Sequence, residues 1–136
     1  MKRVEDWPER LMAFIEERRG SAFLWGKNDC CTFAADAIAE MTGTDPMAEL
    51  RGRYNSAKSA AVVMARVGGI DGFLDARLPT INPGLAQRGD VAMFEAVDGP
   101  ALGIVLGAQA TGVGPEGVIW VPATRWTKTW RVGGIV

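Results

Sequence analysis

The chain contains no histidine. That absence excludes histidine-based catalytic triads, histidine-containing zinc sites and haem ligation through imidazole. Cysteine is nearly absent as well, with only the adjacent pair Cys30 and Cys31. Two neighbouring thiols cannot build a disulfide framework, and an all-cysteine zinc site lacks ligands. No metal site and no cofactor are therefore expected, and the pair fits a chain folded in a reducing cytosol. Neither sign of charge is in excess: 15 basic and 16 acidic residues leave a net charge of −1. A phosphate-tracking protein needs a basic surface, so no nucleic-acid partner is expected, and Arg51-Gly52-Arg53 is too short to supply one. No apolar run approaches the roughly 18 residues of a membrane span. The start, Met1-Lys2-Arg3-Val4-Glu5-Asp6, turns acidic at once, unlike a secretory signal.

What is present is an average globular composition, 48% apolar and 23% charged over 136 residues. Collagen-like and disordered classes are excluded, and the length predicts one domain spanning 1–136. The first half reads as helices. Asp6 with Glu9 suggests a capping box opening a helix over 6–20, with Pro8 in its first turn, Leu11, Phe14 and Ile15 inward, and Gly20 as its stop. A loop over 21–28 carries Phe23, Leu24 and Trp25, predicted to pack over the core. Asn28 or Asp29 caps a second helix to Thr42, with Cys30, Ala34, Ala37, Ile38 and Met41 as its apolar stripe and Gly43 as its end. Asn55-Ser56 caps a third through Val67, stopped by Gly68-Gly69. One more short turn, capped by Asp71, fits 70–78.

After Pro79 the pattern changes to short β runs broken by glycine. Strands are predicted at 91–94, 101–106, 118–121 and 125–132. The last alternates, with Trp126, Lys128, Trp130 and Val132 on one face, and Trp126–Trp130 reads as an edge strand. Lys128 discourages stray pairing there, and a docked partner strand would use the same edge. Residues 107–117, rich in glycine, read as a hairpin loop. Helices followed by strands mean α+β, with the helices packed on a small C-terminal antiparallel sheet or partial barrel.

The residues with chemical potential are Asn28-Asp29-Cys30-Cys31-Thr32-Phe33. A cysteine in the first turn of a helix meets unpaired backbone N–H groups and the positive end of the helix dipole. Both favour the thiolate, which is the nucleophile. The competing reading is a small buried hydrophobe at a helix start, a common fate of free cysteine. Lys27 and Arg53 could assist a thiolate but read as surface charges. Asp90 reads as the end of a turn and Glu95 as facing water. The five tryptophans, Trp7, Trp25, Trp120, Trp126 and Trp130, suit a core and an interface.

Asp29-Cys30 with Phe33 opening a helix resembles the nucleophile motif of the NlpC-like cell-wall peptidases, in the papain-like superfamily. Gly89-Asp90-Val91 resembles that family's Gly-Asp-aliphatic strand start. Gly99 to Gly107, Gly-Pro-Ala-Leu-Gly-Ile-Val-Leu-Gly, is similar to its strand carrying the catalytic histidine. The N-terminal shape, Trp7-Pro8 through Trp25-Gly26 to Asn28-Asp29-Cys30-Cys31, resembles a short branch found in phages, prophages and gene-transfer agents among tail genes. The resemblance implies a papain-like fold, with Cys30 at the nucleophile position. It also implies a departure, because aligning Gly103-Ile104 puts Ala101 where the histidine belongs. The neighbouring-strand position that would orient an imidazole falls near Val118-Ile119-Trp120, which offers an indole.

A single acid–base partner typically supplies about 10²–10⁴-fold, so its loss removes most turnover. The resemblance thus implies a catalytically degenerate component of a phage-type tail tip. It would be made in the host cytoplasm, join the virion tail tip and bind hub or baseplate proteins. The alternative is an active Cys30 amidase or endopeptidase on peptidoglycan stem peptides during wall penetration.

Overall fold

The computed structural model describes residues 1–133 as four helices and one antiparallel sheet. Helix α1 spans Trp7–Arg18 and buries Leu11, Phe14 and Ile15. The expected Asp6–Glu9 capping box does not form, because the Asp6 carboxylate instead accepts from Arg10 Nε at 2.9 Å. Gly20 stays out of the left-handed region, and the helix simply ends at an αR Arg19. Helix α2, Cys30–Thr42, is capped by Asp29 through a reciprocal box with Thr32 and ends at Gly43, whose φ of 78° is open to glycine. It is buried on more than a stripe, since Cys31, Thr32, Phe33 and Ala35 join Ala34, Ala37, Ile38 and Met41 inside. Such a helix lies at the centre of a domain. Helix α3, Ala57–Arg66, is capped by Ser56 with Ser59. Helix α4, Gly69–Asp75, starts from a left-handed Gly68 rather than from Asp71, which lies inside its first turn.

The sheet holds β1 (Thr80–Ile81), β2 (Val91–Ala96), β3 (Gly99–Val105), β4 (Gln109–Gly114), β5 (Gly117–Pro122) and β6 (Trp126–Trp130). Its order is β1-β6-β2-β3-β4-β5, every pair antiparallel, and it is open rather than closed. The architecture is α+β.

Three expectations change. The glycine-rich 107–117 stretch contains strand β4, because Gly112 marks a close approach: a Cβ there would lie 2.7 Å from the Leu102 carbonyl oxygen. Strand β6 is not an edge, since it lies between β1 and β2. A register shift between Met93 and Phe94 divides the β6 tryptophans. Trp130 joins Val91, Leu102, Ile104 and Val132 in the core under the helices, whereas Trp126 packs with Ala92, Phe94, Val105 and Val121 on the other face.

Candidate active site at the start of helix α2

The approach to α2 is a tight loop. Leu24 and Asn28 exchange both backbone hydrogen bonds, at 3.0 and 2.7 Å. Gly26 has φ 83°, and a Cβ there would lie 2.3 Å from the Tyr54 carbonyl oxygen, so only glycine fits. Of the three apolar loop residues, Phe23 and Trp25 meet edge to face and pack on the core, but Leu24 is exposed. The Asn28 side chain is buried, accepting from Arg18 at 3.0 Å and donating to the Ala22 carbonyl at 2.8 Å. Arg18 also pairs with Asp36, which in turn pairs with Arg51. These contacts fix the entry to the helix.

Asp29 is buried and oriented by three donors. Its carboxylate accepts from Thr32 N at 2.9 Å, Gly26 N at 2.7 Å and the Tyr54 hydroxyl at 2.9 Å. Cys30 follows, half-buried, with its Sγ 3.8 Å from Sγ of the buried Cys31. The Cys31 S–H holds the Cys30 thiol below the ordinary cysteine range, aided by the backbone amide of Leu102. Burial and the Asp29 charge oppose that shift. Cys31 is pushed up by its bond to Cys30, by burial and by the two neighbouring negative groups. The Tyr54 phenol is raised by burial and by Asp29, so it stays protonated as a donor.

Across from Cys30 stands β3, and strand alternation decides what it presents. Leu102 and Ile104 lie in the core under the helices, while Ala101 packs against the cluster on the opposite face. Ala101 therefore points away from the thiol, and Leu102 occupies the facing position. The strand beside β3 is β4, not β5, so the residue opposite Ile104 is Thr111 rather than one from 118–120. The Thr111 hydroxyl is used on the Ile119 carbonyl at 3.1 Å.

The remaining candidates do not converge on the thiol. Glu95 is exposed on β2, and Lys27 and Arg53 are exposed. Asp90 is fully buried rather than a simple turn residue: it accepts from Gln87 N and Val132 N and pairs with Arg3 and Arg131. The space beside Cys31 is about 20 Å³, lined by Ala34, Ile38, Phe73, Leu74 and Leu102. That is room for about one water in an apolar setting, far below a substrate pocket. A wider groove of about 360 Å³ lies along α3, at Arg53, Lys58, Val62 and Arg66. Among the described residues no group of His, Cys, Asp and Glu is placed to hold a metal ion, and no helix is long and apolar enough to cross a membrane.

Sequence reasoning located Asp29 and Cys30 but not Tyr54, Thr32 or Leu102. Thr32 was detectable as the third residue after a capping aspartate, and Tyr54 stands out as the sole tyrosine of the chain. A family model described as a domain of unknown function (DUF6950) matches residues 2–132. No curated protein matches the chain.

Proposed function

The chain belongs to the DUF6950 family, and from that premise we propose that it is a structural or binding component of a phage-type tail tip. In this reading it has an NlpC-like ancestry and a catalytically degenerate thiol site, and its partners are hub or baseplate proteins. One observation supports the degeneracy: the Cys30 thiol faces Leu102 and Cys31, and the Cys31 S–H, its one hydrogen-bonding side chain among the described residues, is pushed up and so is a poor acid for a leaving amine. An amine leaving group that is not protonated departs poorly, so thiol acylation would stall. The site can hold a thiolate without completing a turnover.

The test is pH-resolved alkylation read by mass spectrometry at each cysteine, beside an assay for released muropeptides. Cys30 is expected to alkylate with an apparent pKa below about 8.5, Cys31 to stay slow, and no muropeptides to appear. Ala101→His is expected to gain no hydrolysis, because that side chain leaves β3 on the face away from the thiol. Association is tested by co-purification with tail proteins encoded beside this chain. Failure to bind any of them overturns the tail reading.

The lowered Cys30 thiol favours a second reading, an active peptidoglycan amidase or endopeptidase that borrows its base from a partner. That reading requires muropeptide release in the presence of tail partners, abolished by Cys30→Ser.

A further inference from the structure

The two edges of the sheet are unlike. One is β1, only two residues long, and the other is β5, six residues without a charged side chain. A long, uncharged edge recruits another strand unless something covers it. Ala123 donates its N–H to the Ala108 carbonyl at 2.9 Å, and the Ile119 carbonyl accepts the Thr111 hydroxyl at 3.1 Å. The odd-numbered backbone groups of this stretch therefore point at β4. By alternation, Val118, Trp120 and Pro122 turn theirs outward. Trp120 is also 50% exposed, the one aromatic among the exposed large apolar residues described.

We propose that β5 pairs antiparallel with β5 of a second copy, across a two-fold axis at Trp120, joining the two sheets into one. In this register the N–H and C=O of Trp120 bond to those of its counterpart. The Val118 N–H donates to the Pro122 carbonyl of the other copy. Proline has no N–H to return, which is tolerated only on a strand edge and ends the pairing there. The two indoles meet as a cross-strand aromatic pair on one face. Beyond Pro122 the chain turns inward, and Arg125 donates to the Glu95 carbonyl at 3.1 Å, so the pairing is confined to an uncharged edge that matches its own two-fold copy residue for residue around Trp120. This self-complementarity is what selects a second copy as the occupant. A single strand pair falls short of the about 1,000 Å² of a stable interface, so the dimer forms with rising concentration. The inference is independent of whether the thiol turns over.

Analytical ultracentrifugation over roughly 5–500 µM tests it, a range suited to micromolar association. The wild-type protein is expected to pass from monomer to dimer, and Trp120→Lys and Val118→Pro to stay monomeric with unchanged circular dichroism. With both native cysteines replaced by serine, Trp120→Cys is expected to form a disulfide dimer on mild oxidation, because directly opposed strand residues lie within bridging distance. Three results overturn the proposal: a wild-type monomer throughout the range, a dimer that survives Trp120→Lys, or a β5 edge occupied only by a strand of another protein.

Discussion

Two carboxylates are buried among the described residues, and they are accommodated in opposite ways. Asp90 is paired with two arginines, Arg3 at 2.9 Å and Arg131 at 3.3 Å. Asp29 has no ion-pair partner among the described residues and rests on two backbone N–H groups and the Tyr54 hydroxyl. The difference is functional. The Asp90 charge is cancelled where it stands and binds distant parts of the chain together. The Asp29 charge is stabilised by dipoles but not cancelled, so its field reaches Cys30 and works against thiolate formation. A working cysteine nucleophile gains from a positive neighbour, and this thiol has a negative one.

Replacing Asp90 should have the largest effect. Asp90→Ala strands two arginines around an apolar hole and is expected to destabilise by about 3–5 kcal/mol, read by denaturant unfolding. It should leave the alkylation profile of Cys30 unchanged. Asp29→Asn keeps the shape but removes the charge and one acceptor oxygen, costing about 1–3 kcal/mol. Unlike the Asp90 variant, it should lower the apparent pKa of Cys30, because the charge that raised it is gone. A Cys30 profile that moves equally in both variants would erase the distinction between the two carboxylates.

The smallest effect belongs to Tyr54→Phe, which removes one donor to Asp29 at about 1 kcal/mol near neutral pH. Its signature is alkaline. The native phenol is raised, while an unfolded tyrosine ionises near pH 10. Above that value the unfolded chain has lost a proton that the native state still holds. The stability from Tyr54 is therefore complete below about pH 10 and is lost as pH rises further, at up to about 1.4 kcal/mol per pH unit. Tyr54→Phe should flatten that decline in urea titrations between pH 9 and about 11.

Local signals were legible at α2 and α3 but misled at Asp6, Gly20 and Asp71, where an ion pair to Arg10, an αR helix end and a left-handed Gly68 decide the boundaries instead. Asp29, one of the two caps the sequence offers, and Gly43 bound α2 because caps and left-handed stops act within a few residues. Strand β4 was hidden because Gly112 looks like a loop residue until the Leu102 carbonyl is seen against it. The division of Trp126 from Trp130 depends on a bulge in β6 itself, where Thr127 is passed over as the pairing steps from Lys128 opposite Met93 to Trp126 opposite Phe94, a break that a strict alternation over 126–130 hides. Asp90 read as a turn residue because its arginines stand 87 positions before and 41 after it. The candidate site was legible as Cys30 at a helix start. What faces the thiol depended on which side of β3 turns inward, a matter of register between Cys30 and Leu102, 72 positions apart.

The Arg3 guanidinium donates to the Val132 carbonyl at 2.7 Å, a contact between residues 129 positions apart. Closing so long a span is favourable only after the segments between are already in place. The amide of Val132, held on Asp90, should then exchange its proton for deuterium only through opening of the whole molecule. A slow amide so near the end of the described chain would make one resonance a gauge of global stability, while amides in short-range turns exchange by fraying.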